Sequence, residues 1–150
     1  MLVVNVSLLI LTRSTMQSRS SILIVEDQAI IGMALRSAVE HAGGDVIGPV
    51  ASVKLALNLI ETRPVSGAIL DVVLSDGLVS PLVKCLQQRH IPMIIQTGVG
   101  YPAELLALFP DLIVKAKPTF SQPLVRELFA LIEKKRRSKV TADLGRPKEG

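Results

Sequence analysis

The chain has 150 residues, 49% hydrophobic and 20% charged, which supports one compact core and excludes a disordered or fibrous chain. Aromatics make up 3% with no Trp, so the core must come from Leu, Ile, Val and Ala, and a base-stacking platform for single-stranded nucleic acid is disfavoured. The formal charge of +4 gathers largely in Lys134-Lys135-Arg136-Arg137 with Lys139, read as a solvated helix end and tail, with docking or a nucleic-acid contact as the alternative; the single Cys85 allows no intramolecular disulfide and fits a reducing cytoplasm.

Residues 1–11 are apolar, too short to span a bilayer, and lack the basic start and cleavage site of a secretory signal. They are either an extra segment packed on the domain or an artefact of a start at Met16, and residues 1–20 are set apart as an N-terminal extension. Ile22-Leu23-Ile24-Val25 has strand length and runs straight into two acids, Glu26 and Asp27. Over residues 28–41 the apolar positions Ile30, Ile31, Ala34, Leu35, Ala38 and Val39 recur at helical spacing, until Gly43-Gly44 ends the pattern. Residues 45–51 read as a second strand. Ser52 is a candidate N-cap for a helix carrying Leu55, Ala56, Leu59 and Ile60, which must stop before Pro64.

Ala68-Ile69-Leu70 leads as a third strand to Asp71, and Ser75, Asp76 and Gly77 mark a turn. A helix over residues 80–88 has Pro81 in its first turn, with Cys85 as a small buried hydrophobe. Pro92-Met93-Ile94-Ile95 is a fourth strand with the loop Thr97-Gly98-Val99-Gly100 at its end. A short helix over 102–108, a fifth strand over 111–115 and a last helix over 121–137 complete five strands alternating with five helices. That alternation predicts an α/β sandwich with a parallel sheet covered on both faces.

An acid at the tip of a buried strand is costly unless it faces a crevice, and in a parallel sheet the carboxyl ends of the strands form the ligand-binding edge. Asp71 is therefore read as a phosphoryl acceptor. Glu26, Asp27, Thr97 and Lys117 reach the same edge from other strands. Three converging carboxylates raise one another's pKa unless a cation neutralises them, and an oxygen-only set favours Mg²⁺ over zinc.

With those positions in order, the chain resembles the receiver domains of two-component response regulators, the CheY-like superfamily. The resemblance rests on Ile22 through Asp27, Asp71, Thr97 and Lys117-Pro118, and it covers roughly residues 21–137. Thr97-Gly98-Val99-Gly100-Tyr101 and Ile91-Pro92 further resemble stand-alone, single-domain receivers of the FAT GUY type, although Ile95 and Gln96 replace the first two residues of that motif. The resemblance implies a flavodoxin-like, doubly wound (βα)5 fold with sheet order 2-1-3-4-5. It implies Asp71 as nucleophile toward a phosphohistidine, with Asp27 and Asp71 as direct Mg²⁺ ligands, Glu26 through water and the Val73 backbone carbonyl completing the set. Lys117, held by a cis bond to Pro118, pairs with a phosphoryl oxygen and Thr97 hydrogen-bonds another. It further implies a cytoplasmic phosphoacceptor rather than an enzyme, monomeric or weakly dimeric. The partners it implies are a sensor histidine kinase or histidine phosphotransfer protein and a downstream protein. Residues 138–150 are read as a basic flexible tail, with no room for a DNA-binding domain.

Two departures stand out. Val114 occupies the position three before the lysine where the family carries an aromatic switch residue, and Tyr101 either takes over part of that role or caps the short helix. The turn after Asp71 is also short, with Ser75 where Pro is common. Other readings fail on single residues. Lys115 competes with Lys117 but lacks the following proline. His41 and His90 read as surface residues without partners at metal-ligand spacing. A haloacid-dehalogenase-type phosphatase needs an acid where Val73 stands. The Gly98-x-Gly100-x-x-Ala103 match to a dinucleotide fingerprint is broken by Pro102. A receiver-like module that binds a partner without carrying phosphate remains the alternative function.

Overall fold

The computed structural model describes residues 18–145. The apolar segment at residues 1–11 and the start at Met16 lie outside them. The chain runs β1 (Ser21–Val25), α1 (Ala29–His41), β2 (Asp45–Val50), α2 (Val53–Thr62), β3 (Gly67–Asp71), β4 (Val73–Leu74), β5 (Gly77–Leu78), α3 (Ser80–Gln88), β6 (Met93–Thr97), α4 (Ala103–Leu108), β7 (Ile113–Ala116) and α5 (Ser121–Leu144). Five strands form one parallel sheet in the order β2-β1-β3-β6-β7, which is the expected flavodoxin-like order once the small β4–β5 hairpin is set aside.

Side chains alternate along each strand, so the central strands, apolar on both faces, serve two cores. Leu23, Val25, Ala68, Leu70, Met93 and Ile95 pack against Val53, Ala56 and Ile60 of α2, Leu82, Val83 and Leu86 of α3 and Leu105 of α4. On the opposite face Ile22, Ile24, Ile69 and Ile94 meet Leu35, Ala38 and Val39 of α1 and Leu124, Val125, Leu128 and Ile132 of α5. Full burial of each such aliphatic side chain contributes about 1.5–3 kcal/mol. Gly67 opens β3 where α5 presses closest: a Cβ there would lie 2.7 Å from Ile132 Cδ1.

Three local features differ from expectation. The last helix does not stop near Arg137 but continues to Leu144, so residues 138–144, expected as flexible tail, are helical. Cys85 is half-buried against the core edge rather than enclosed. The turn after Asp71 is a hairpin, β4 paired antiparallel with β5, with Gly77 at a φ of 132° that a side chain would disfavour.

That hairpin also caps a helix. Ser52 Oγ accepts the Leu55 N–H at 3.2 Å, as the sequence predicts, but Asp76 does more than initiate a turn. Its two carboxylate oxygens accept the Val53 and Lys54 N–H groups at 2.8 and 3.0 Å, satisfying orphan donors at the start of α2. Ser75 Oγ donates to the Ala51 carbonyl at 2.9 Å beside them. The backbone hydrogen bonds from Lys54 and Val53 hold the Asp76 pKa below its ordinary value of 3.8. A depressed carboxylate pKa gives stability that is present above the unfolded value and lost as pH falls through the folded one. Ser52→Ala should therefore cost about 1 kcal/mol in chemical denaturation. Asp76→Ala should lower the melting temperature at neutral pH, and the deficit should close on acidification through the Asp76 titration.

Candidate functional site

Parallel strands end at one edge, and four of them deliver polar side chains there. Glu26 and Asp27 follow β1, Asp71 ends β3, Thr97 ends β6 and Lys117 follows β7. Glu26 and Asp71 are buried at 4% and 8% exposure, whereas Asp27 faces solvent. One carboxylate oxygen from each of the three lies within 4.8 Å of the others.

Lys117 ties the buried acids together. Its Nζ donates to Glu26 Oε2 at 2.8 Å and to Asp71 Oδ2 at 3.0 Å. The other two oxygens are held by backbone: Gln28 N–H donates to Glu26 Oε1 at 3.1 Å and Val72 N–H to Asp71 Oδ1 at 2.8 Å. Burial, with a smaller push from the Asp71 charge, raises the Glu26 pKa above its usual 4.5 despite the hydrogen bonds from Lys117 and Gln28. Burial alone would lower the Lys117 pKa, but the hydrogen bonds to Glu26 and Asp71, reinforced by their charges, outweigh it and hold the pKa above 10.5. The mutual repulsion expected of the acids is thus partly met by the protein's own cation.

The donor set fits a hard divalent cation. Three carboxylates, with no Cys or His joining them among the described residues, match what Mg²⁺ takes while retaining several waters. Val73, expected to offer its carbonyl, opens β4 two residues beyond Asp71 with an exposed side chain.

Lys117, not Lys115, reaches Asp71; Lys115 pairs instead with Glu127 of α5 at 2.9 Å. The Lys117-Pro118 peptide is cis, as the resemblance implied, and Gly48-Pro49 is a second cis bond that the sequence reading did not anticipate. Thr97 is buried, and its hydroxyl donates to the Gly100 carbonyl at 2.7 Å while accepting the Val99 N–H at 3.3 Å. Val114 and Tyr101 both pack against the core under α2, α3 and α4. The Tyr101 hydroxyl is buried without a hydrogen-bond partner among the described residues and caps nothing in the short helix, and burial raises its pKa. His41 and His90 are exposed, as expected.

Gln96 was missed as a site residue. It is 2% exposed, stands in register with Asp71 on one side and Lys115 on the other, and its Oε1 has no partner among the described residues. A buried acceptor left unsatisfied costs about 1–3 kcal/mol. The available signal was a polar residue in the second position of a motif that usually carries Ala there.

No family model matches the chain, and no curated protein matches it. Solved structures do. A CheY-like response regulator receiver domain protein from Methanospirillum hungatei JF-1 is 22% identical with a TM-score of 0.72, over 81% of this chain and 99% of that one. SdrG from Sphingomonas melonis Fr1 is 32% identical with a TM-score of 0.63, over 78% of this chain and 98% of that one. The response regulator PhyR from Brucella abortus is 27% identical with a TM-score of 0.68, over 84% of this chain but only 53% of that one.

Removing the cation should expose its role. Lys117→Met leaves two buried carboxylates uncompensated and should destabilise the fold by about 3–5 kcal/mol at neutral pH. With its lowering partner gone, Glu26 titrates higher still, so the deficit in urea unfolding should shrink as pH falls and Glu26 takes up a proton.

Proposed function

Because this chain belongs to the receiver-domain family of response regulators, we propose that Asp71 accepts a phosphoryl group from a phosphohistidine and that the acyl phosphate is read by protein partners. The donor is a sensor histidine kinase or a histidine phosphotransfer protein. The observation that carries the reading is the Lys117 ammonium held between Glu26 and Asp71 at the ligand-binding edge of the sheet. Phosphoryl transfer asks mainly for positioning and charge neutralisation, and this edge offers both.

Asp71 Oδ2 attacks phosphorus, the P–N bond to the donor imidazole breaks, and the departing ring nitrogen takes the electron pair and then a proton. Glu26, Asp27, Asp71 and the Val73 carbonyl would hold a Mg²⁺ ion, which when bound neutralises charge on the transferring oxygens. Lys117 follows the phosphoryl oxygens, and Thr97 exchanges its hydrogen bond to the Gly100 carbonyl for one to the phosphoryl group. That exchange frees the 98–101 loop, so the added charge of about −1.5 to −2 is felt along β6, α4 and β7. On this reading the protein is a phosphoacceptor that acts on no other molecule as a catalyst, works in the cytoplasm, and follows the stand-alone FAT GUY type.

Val114 in place of an aromatic favours a second reading, a receiver-like module that binds its partner without carrying phosphate. Acetyl phosphate separates the two. Intact mass should show a gain of one acid-labile phosphoryl group in the presence of Mg²⁺, absent without the ion and absent in Asp71→Asn; no gain by a folded protein supports the second reading. Amide shifts on phosphorylation should concentrate in β6, α4 and β7, and an unchanged spectrum there would sink the proposed relay.

A further inference from the structure

This inference deepens the phosphoacceptor reading of Asp71 and rests on it. Both carboxylate oxygens of Asp71 are engaged, Oδ1 by the Val72 N–H at 2.8 Å and Oδ2 by Lys117 at 3.0 Å. A hydrogen bond from a cation draws electron density from the oxygen and crowds the approach of phosphorus, so Asp71 Oδ2 attacks best once its charged donor has moved aside. The Val72 N–H belongs to the next peptide and moves only with the backbone. Lys117 ends a flexible four-carbon stem and can leave. Its side chain is only 11% exposed, so it needs another acceptor when it does.

The path of the lysine limits where that acceptor can be. The Lys117 N–H donates to the Thr97 carbonyl at 2.8 Å, so the residue starts beside β6. Lys117 Cδ lies 3.9 Å from where a Cβ on Gly98 would stand, and Nζ ends at Asp71 on β3. The arm therefore crosses the carboxyl end of β6. Gln96, in register with Asp71 and two residues before Gly98, lies on the side of the sheet that Asp71 faces. Its buried Oε1 has no donor among the described residues, while Lys117 has three N–H groups and spends two on Glu26 and Asp71.

We infer that Gln96 is a positioning residue for Lys117: its amide oxygen receives the ammonium when the lysine leaves Asp71 Oδ2, freeing that oxygen for phosphorus while keeping the cation over the incoming phosphoryl group. The neutrality of the amide matters. A carboxylate at this position would hold the lysine permanently, and an apolar side chain would give it no second resting place.

Gln96→Leu, compared with wild type for labelling by acetyl phosphate at saturating Mg²⁺, tests this. The variant should melt at or above the wild-type temperature, because an orphaned acceptor has been removed, yet label about tenfold more slowly, equivalent to about 1.4 kcal/mol in the barrier. Labelling of a folded variant at the wild-type rate overturns the inference alone. Wild type that takes no phosphoryl group overturns both it and the proposed function. Should the variant fail to fold, the Gln96 side-chain amide in wild type decides: its ¹⁵N–¹H pair should shift when beryllofluoride and Mg²⁺ are added, and a pair that stays in place overturns the inference.

Discussion

Lys117 is the cation on which the site depends, and its position is a consequence of sheet order. β7 lies two strands from β3 and three from β1, yet the ammonium reaches acids on both. Neighbouring strands are about 4.8 Å apart, so a side chain rising straight from β7 would fall short of β1. The chain solves this by leaving β7 at Ala116 and folding inward, where the Lys117 N–H meets the Thr97 carbonyl of β6. From there the stem runs over β6 to the carboxylates. Gly98 lies beside that route, with Lys117 Cδ 3.9 Å from where its Cβ would stand.

Holding two acids below a tenth exposed would be prohibitive without such compensation. Every oxygen of Glu26 and Asp71 has a donor, two from Lys117 and two from backbone N–H groups. Charge balance is still incomplete, since one ammonium faces two buried carboxylates and the exposed Asp27. That residual negative potential makes the edge receptive to a divalent cation, whereas the raised Glu26 pKa comes first from burial, with the Asp71 charge adding less. The apolar sheet beneath supplies rigidity: strand ends anchored by side chains buried on both faces cannot drift, so the acids stay poised at fixed separation.

The segment after Asp71 is restrained by a different device. The β4–β5 hairpin is too small to be stable alone, but its turn residues Ser75 and Asp76 bind the start of α2. The same contacts complete the α2 cap and hold the polypeptide next to Asp71. Thus the short turn, which departs from the usual Pro-containing pattern, is anchored by carboxylate-to-backbone hydrogen bonds.

Much of this protein was legible in the sequence. Apolar runs of strand length, helical spacing of Leu, Ile, Val and Ala, and breakers at Gly43-Gly44 and Pro64 are local signals, so five strands, five helices and their alternation could be read directly. That Glu26, Asp27, Asp71, Thr97 and Lys117 arrive at one edge was also readable, because a polar residue at the end of an apolar strand is conspicuous and parallel topology sends all such ends there. Only the tertiary structure decided the rest. Pro118 already favoured Lys117 over Lys115, but that Asp76 caps a helix 23 residues away depends on the hairpin folding onto α2. The extension of α5 to Leu144 was masked by a charge run that reads equally as helix or tail. Gln96 was hidden for the same reason as the Tyr101 hydroxyl: whether a buried polar atom has a partner is set by which side chains three-dimensional packing brings within reach, and spacing along the chain does not encode that.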